Sequence, residues 1–362
     1  FLNYKKIKDN SALIKVKGNK ELGKKTKFDL ISFKEKNNII KIQNLILDKR
    51  FMLINLDGAL IDILDKDENF NKFKIIKKSK NNYHLDGSSF NADNLIESLL
   101  DDDESPKIFN ENFKIFINID KVLLDNKYNL SNLKGNLSVQ NQEIINGNLT
   151  GSFSNNKKLK FTVQSKGKEK ITTLFSDKAE PIVNRYKFIK GFNGGVLDFY
   201  SLKQKDISVS KLKIYDFNLK ELPALTKLLT LASLQGIADL VSGEGIGFDD
   251  FEMNFKNQKN VMTINEIYAI GPAISILMDG YVEKNKLISL RGTLVPATTI
   301  NKFIGSIPIL GEILVGSKTG EGVFGVSFKI KGPPKNLETN VNPIKTLTPR
   351  FITRTLEKIK KN

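Results

Sequence analysis

Apolar and polar residues alternate with a period of two along most of this chain. Phe113, Ile115, Ile117 and Ile119 alternate with Lys114, Phe116, Asn118 and Asp120, and Leu159, Phe161 and Val163 with Lys160, Thr162 and Gln164. The pattern returns where Leu212 and Ile214 alternate with Lys211 and Lys213, and where Phe324, Val326, Phe328 and Ile330 alternate with Gly325, Ser327, Lys329 and Lys331. A strand sends successive side chains to opposite faces, so each run predicts a strand with one apolar and one wet face. Asn146-Gly147, Ser154-Asn155-Asn156, Gly194-Gly195 and Lys284-Asn285 supply turn signals between runs. The expected fold is mainly β: an elongated antiparallel sheet of consecutive hairpins, with a few short helices and no βαβ rhythm.

Helical spacing is rare. Residues 91–100 form a short candidate that ends in Asp101-Asp102-Asp103-Glu104, a solvated loop lacking the alternating ligands and central glycine of a calcium loop. A second candidate covers 181–189, with Pro181 in its first turn. The longest covers 221–241, where Leu222, Leu225, Leu228, Leu229, Ala232, Ile237, Leu240 and Val241 recur at helical spacing and Gly236 divides the run. Residues 298–315 are apolar, but Gly305, Pro308 and Gly311 prevent one rigid helix. That segment is the expected cap or gate at a groove end, through Phe303, Ile307, Leu310 and Leu314, with a kinked core helix as the alternative. Residues 343–361 predict a basic amphipathic tail helix, its apolar stripe including Leu347, Phe351, Ile352 and Leu356 and its polar face Arg350, Arg354 and Lys358. Leu347, Arg350, Phe351, Ile352, Arg354 and Lys358 are the candidate membrane contacts, and docking on the sheet as a lid is the alternative.

Composition narrows the chemistry. The 362 residues suffice for one large elongated domain or two ordinary ones. The chain has no cysteine, which excludes disulfides, thiolate nucleophiles and Cys-ligated metals. Its one histidine, His84, has no dyad partner nearby in sequence and is expected to be structural or exposed. A formal net charge of +17 raises the question of nucleic acid. Arginine, the residue suited to bidentate base and phosphate contacts, occurs only at positions 50, 185, 291, 350 and 354, and the lysines are scattered over alternating strands. No nucleic-acid partner is expected, whereas attraction to anionic lipid headgroups is.

Two glycine-rich stretches fail as phosphate loops. Gly243-Glu244-Gly245-Ile246-Gly247 follows a helical pattern and leads into a strand, the reverse of the order that brings phosphate to a helix N-terminus, and is read as a turn. In Gly311 to Thr319, Ser317 separates the second glycine from Lys318, which breaks the Walker spacing. No carboxylate pair, serine elbow or metal cluster stands out, so neither an enzyme nor a cofactor or metal is expected. The sequence contains no run of about 18 apolar residues, hence no transmembrane helix within it. Because it opens at Phe1, the expectation is a partial chain with its anchor or export signal upstream.

From Lys190 onward a series of motifs appears in order. Gly191-Phe192-Asn193-Gly194-Gly195-Val196-Leu197-Asp198 is followed by Leu222-Pro223-Ala224-Leu225, by residues 228–236 and by Gly243 to Asp249. Gly292-Thr293-Leu294-Val295-Pro296-Ala297 comes next, with Asn301, Ile307-Pro308, Gly311 and Leu314-Val315-Gly316 behind it. Gly320-Glu321-Gly322-Val323-Phe324 and Val341-Asn342-Pro343-Ile344 close the series. This order, over about half the chain, resembles the AsmA-like C-terminal region of the AsmA, YhdP and TamB superfamily of bacterial envelope proteins. Pro349-Arg350-Phe351 departs from it, since a glycine is expected after that proline.

The resemblance implies a repeating β-groove and a periplasm-spanning, bridge-like protein that moves phospholipid and supports outer-membrane lipid homeostasis in Gram-negative-type cells. It further implies an inner-membrane anchor upstream and a C-terminal end toward the outer membrane. The partners would be phospholipid acyl chains, a membrane surface and envelope proteins. Three regions follow: a groove segment over 1–166, partial at its N-terminus; the AsmA-like region over 167–342; and the tail over 343–362. The first boundary sits where composition changes at Lys166-Gly167-Lys168. Candidate groove residues are Phe113, Ile115, Ile117, Phe161, Val163, Leu212, Ile214, Phe324, Val326 and Phe328. Periodicity alone favours a filled sandwich core, and the resemblance reverses that preference toward a groove. The inward phase stays open at Phe116 and at Tyr215, Phe217 and Leu219. The alternative function is a structural or regulatory factor for outer-membrane assembly that acts through protein contacts without conducting lipid.

Overall fold

The computed structural model describes residues 2–20, 25–100, 112–141, 143–185, 190–221, 245–296, 325–334 and 336–344. The chain divides into two units, Phe1–Pro181 and Ile182–Asn362. As the alternation requires, the architecture is mainly β: the described residues form twenty strands, two short α-helices and one 3-10 turn. No helix among them is long and apolar enough to cross a membrane.

Unit 1 is one open sheet. Its strands are β1 (Leu13–Lys20), β2 (Thr26–Glu35), β3 (Asn38–Leu47), the short β4 (Leu53–Asn55), β5 (Gly58–Leu64), β6 (Phe70–Ser79) and β7 (Asn82–Asn91). Helix α1 (Asp93–Leu100) leads toward β8 (Phe113–Leu123), then β9 (Asn129–Gln140), β10 (Glu143–Ser152), β11 (Lys158–Lys166) and β12 (Glu169–Ser176). Neighbours in sequence pair antiparallel, with β3 pairing both β4 and β5. The exception is β7–β8, which is parallel. Parallel neighbours need a crossover that returns the chain to the starting end, and α1 lies in that connection. One βαβ-like unit therefore interrupts the expected run of hairpins.

Unit 2 repeats the antiparallel plan with β13 (Lys190–Gln204), β14 (Ile207–Glu221), β15 (Ile246–Gln258), β16 (Val261–Ile270), β17 (Ile274–Glu283), β18 (Leu287–Pro296), β19 (Gly325–Gly332) and β20 (Glu338–Ile344). Helix α2 (Glu180–Val183) spans the division between the units and is shorter than the segment expected over 181–189. Residues 222–241 of the longest expected helix lie outside the described residues, and Glu221 ends β14.

Two of the four expected turns are turns: Ser154–Asn156 is the 3-10 turn before β11, and Lys284-Asn285 joins β17 to β18. The other two lie inside strands. Asn146 and Gly147 pair with Gln164 and Val163 in mid-β10; a Cβ on Gly147 would meet Leu137 Cδ2 at 2.7 Å, so the glycine makes room for a neighbour's side chain. Gly194 and Gly195 sit at positive φ within β13, where the ladder with β14 skips Gly195 and Asp216 without a change of register. The composition change at Lys166-Gly167-Lys168 coincides with the β11–β12 hairpin corner, where Lys166 pairs with Glu169.

Candidate binding face

Strand register determines which side chains collect on one face, because paired residues share it. In unit 1 one apolar row runs over ten strands. Ile31 pairs with Ile42, Ile42 with Ala59, Ala59 with Ile75 and Ile75 with Leu85. Leu85 then pairs with Ile117, Ile117 with Gly135, Gly135 with Leu149, Leu149 with Phe161 and Phe161 with Leu174. At a strand spacing near 4.8 Å this row is roughly 40 Å long. A second row lies beside it: Tyr83, Ile115, Leu137, Gly147, Val163 and Thr172.

The opposite face is polar by the same register. Ser32, Lys41, Leu60, Lys74 and Asp86 stand side by side, followed by Asn118, Lys134, Thr150, Lys160 and Phe175. Phe116 belongs to this side and is 39% exposed, which settles its phase. His84 lies next to it, its ring 5.1 Å from the Phe116 ring in a tilted stack, as a structural histidine would.

Burial grades across the apolar face. Every non-glycine member of the long row is half-buried, neither sealed nor fully exposed. Toward the strand ends at Glu35, Asn91, Leu123 and Ser152 the face becomes a packed wall. Ala92, Ile119, Val122, Leu124, Tyr128, Leu130 and Phe153 form one buried cluster there, with Ile96 of α1 against it. Ile61, Ile63 and Phe73 form another, covered by Leu2 and Tyr4.

The segment that brings Leu2 and Tyr4 across the strands is held at both ends. The Lys66 amide donates to the Asn3 carbonyl at 3.0 Å. The Tyr4 hydroxyl donates to the Glu35 carboxylate, which also accepts from the Ile7 amide at 3.1 Å. Burial, together with the negative Glu35, pushes the Tyr4 hydroxyl up to about 12. The same hydrogen bond from Tyr4 holds Glu35 below the usual carboxylate range.

Unit 2 has comparable rows with a different exposure. Leu197, Ile214, Phe251, Ala269, Ile276, Leu294 and Val326 stand side by side, and Leu212, Met253, Ile267, Met278, Gly292 and Phe328 form the next row. Ile214, Leu294, Val326 and Phe328 are buried. An irregularity at Asp216 (φ 53°) places Phe217 on the buried side with Ile214. There Phe217 stacks between Phe192 and Phe248 at ring-centroid distances of 5.1 and 5.4 Å.

Across the polar face of β14 and β15, Lys211 and Lys213 reach Glu252 at 2.9 and 3.8 Å. Farther along, that face turns apolar: Tyr268, Leu277 and Val295 form a buried cluster opposite Ala269, Ile276 and Leu294. Strands β16–β18 are thus buried on both faces over 266–269, 274–277 and 293–295, unlike the one-wet-face strands the alternation predicts.

The candidate residues divide accordingly. Phe113, Ile115, Ile117, Phe161 and Val163 come together on the apolar face of unit 1, and Leu212, Ile214, Val326 and Phe328 on that of unit 2. Phe324, the cap candidates Phe303, Ile307, Leu310 and Leu314, and the tail candidates Leu347, Arg350, Phe351, Ile352, Arg354 and Lys358 lie outside the described residues. Sequence reasoning missed Ile31, Ile42, Ile75, Leu85, Leu149 and Leu174, although Leu149 sits in an alternating stretch between Asn148 and Thr150. Comparison of the chain with protein-family models, curated proteins and solved structures finds no match.

Proposed function

We propose that this chain is the lipid-binding portion of a bridge-like phospholipid transport protein of the bacterial cell envelope, and that it carries out no chemical step. The observation that carries the reading is the half-burial of the long row from Ile31 to Leu174. A sandwich core of this length would be sealed by a second layer, and the strands of unit 1 provide only one. An acyl chain laid on the row is shielded from water at about 0.8 kcal/mol per methylene; a dozen methylenes give roughly 10 kcal/mol before the cost of immobilising the chain. The packed wall from Tyr4 to Phe153 bounds the row on one side. The ordered motifs from Gly191 to Ile344, similar to the AsmA-like region, support phospholipid as cargo, a periplasmic setting and a role in outer-membrane lipid homeostasis.

The buried rows of unit 2 favour a second reading for that unit. Ile214, Val326 and Phe328 fill their own face, so unit 2 serves there as a structural element that contacts other envelope proteins. Native mass spectrometry of the chain, purified without delipidation, tests the first reading. Phospholipid-sized mass additions that diminish in Phe161→Asn are expected. A folded chain with no lipid adduct overturns the conduit reading in favour of the structural one.

A further inference from the structure

We infer that the rim of unit 1's apolar face opposite the packed wall seats the headgroup of a bound phospholipid and selects an anionic one. The inference rests on the lipid reading above. At the strand ends near Glu35, Asn91, Leu123 and Ser152 the two buried clusters close the face. The wall stops a headgroup on that side, so a lipid whose chains cover the row extends its headgroup toward the other strand ends. There the β6–β7 and β11–β12 hairpins turn. Along β6, Lys78 lies three residues beyond Ile75, and along β11 Lys166 lies five beyond Phe161. At the strand rise these separations are roughly 10 and 17 Å.

The two rims differ in charge. Lys78 and Lys80 occupy the β6–β7 corner with no acid beside them, and Lys166 and Lys168 the β11–β12 corner with Glu169. All four lysines are exposed, and among the described residues none makes an ion pair. Lys77 and Lys170 stand on the apolar side itself, paired with Tyr83 and Ser165, and both are half-buried. Each already has an acceptor: Lys77 donates to Asn55 beside Asp57, and Lys170 to Glu143 at 2.6 Å. At the wall the balance reverses. Asp65, Asp67 and Glu68 surround Lys66 in the β5–β6 turn, and Glu180 holds Lys127 at 3.7 Å.

Apolar burial and charge then have separate roles. Chains seated on the row fix where the phosphate arrives, and the turn lysines discriminate between headgroups there. A zwitterionic headgroup carries its own ammonium, which offsets the attraction, whereas a headgroup with a net negative charge keeps it. The carboxylates and amides that satisfy Lys77 and Lys170 leave the border of the apolar face nearly neutral, so selection falls to the exposed turns. Lysines of the outer face, such as Lys74 and Lys160, are separated from the row by the sheet and do not reach the same phosphate.

The test presents the whole chain with vesicles of phosphatidylglycerol and phosphatidylethanolamine in equal amounts and with the same acyl chains. The vesicles are removed, and the lipid retained on the chain is quantified. Phosphatidylglycerol should exceed phosphatidylethanolamine about fivefold, the effect of one well-placed cation. The variant Lys78→Gln, Lys80→Gln, Lys166→Gln, Lys168→Gln should bring that ratio near one while lipid is still retained. The variant Lys41→Gln, Lys74→Gln, Lys134→Gln, Lys160→Gln removes the same charge from the outer face and should preserve the ratio. Both should keep the melting temperature, since all eight side chains are exposed. Retained lipid without headgroup preference, or an equal loss of preference in the outer-face variant, overturns the inference and leaves the lipid reading standing. A chain that retains no lipid overturns both. Rim-dependent sedimentation with phosphatidylglycerol vesicles, without enrichment in the retained lipid, also overturns it, because the rim would then meet a membrane surface.

Discussion

Gly135 stands directly opposite Ile117, and its missing side chain is what lets the apolar row cross β9. Its φ is 147°, and a Cβ built there would lie 1.8 Å from the carbonyl oxygen of Asn148 on the next strand. Backbone cannot yield as a flexible side chain does. Gly135→Ala should therefore destabilise unit 1 by about 2–3 kcal/mol, read as a fall in the urea midpoint. Gly167 is the control: its φ is +62°, but a Cβ added there would meet nothing within 4 Å, so Gly167→Ala should cost only about 1 kcal/mol. Equal losses at the two sites would show that close strand approach is not what glycine provides at position 135.

The Tyr4–Glu35 contact makes stability depend on pH at both extremes. Glu35 is held below its ordinary value chiefly by the Tyr4 hydroxyl, so its contribution is complete above about pH 4.5 and is lost as pH falls through the lowered value. Tyr4 is pushed up, first by burial, to about 12, so the folded state favours its neutral form. That contribution is complete below about pH 10 and declines as pH rises toward 12. Tyr4→Phe should remove the alkaline decline and weaken the acid one, as followed by melting temperature against pH. An unchanged alkaline limb would mean that other groups set it.

In unit 2 the three-ring stack of Phe192, Phe217 and Phe248 is the equivalent point of leverage. Phe217 is buried and also meets Phe251 edge-on at 6.3 Å. Phe217→Ala should cost about 3–5 kcal/mol, and Phe217→Leu much less. Tyr215, its half-buried neighbour two residues back, should tolerate replacement by threonine, which keeps strand propensity. Similar losses at both positions would contradict the positive-φ residue Asp216 as the feature that chooses the inward side.

Much of the fold was legible because strand alternation is local. Phe113 to Ile119 reads the same in the sequence and in β8. Register was not legible, because it depends on partners far away in the chain and on bulges that shift phase. Thus Phe217 joins Ile214 only through the irregular Asp216, and Gly147, a turn signal by itself, lies in mid-strand beneath Leu137. Tyr268 and Leu277 lie in the continuous apolar runs 267–270 and 276–278, the mark of a strand buried on both faces, which a search for period-two alternation passes over. The parallel β7–β8 pair was hidden for a related reason: a short helical pattern over 91–100 does not reveal where the returning strand docks. Of the candidate face, the members on β8 and β11 were readable one strand at a time. Their assembly with Ile31, Ile75, Leu85 and Leu149 into one row is a property of the pairing.

The central claim is that one face of unit 1 receives acyl chains and the other does not. Photo-crosslinking between adjacent positions of the same strands tests it most directly. A photoreactive residue at Ile117 or Phe161 should capture phospholipid from vesicles, whereas the same residue at Asn118 or Lys160 should capture little. The polar-face positions are the more exposed, so indiscriminate labelling would favour them. Lipid adducts at Ile117 and Phe161 several times those at Asn118 and Lys160 are the predicted result. Equal labelling of the two faces, or stronger labelling at Asn118 and Lys160, would contradict the account.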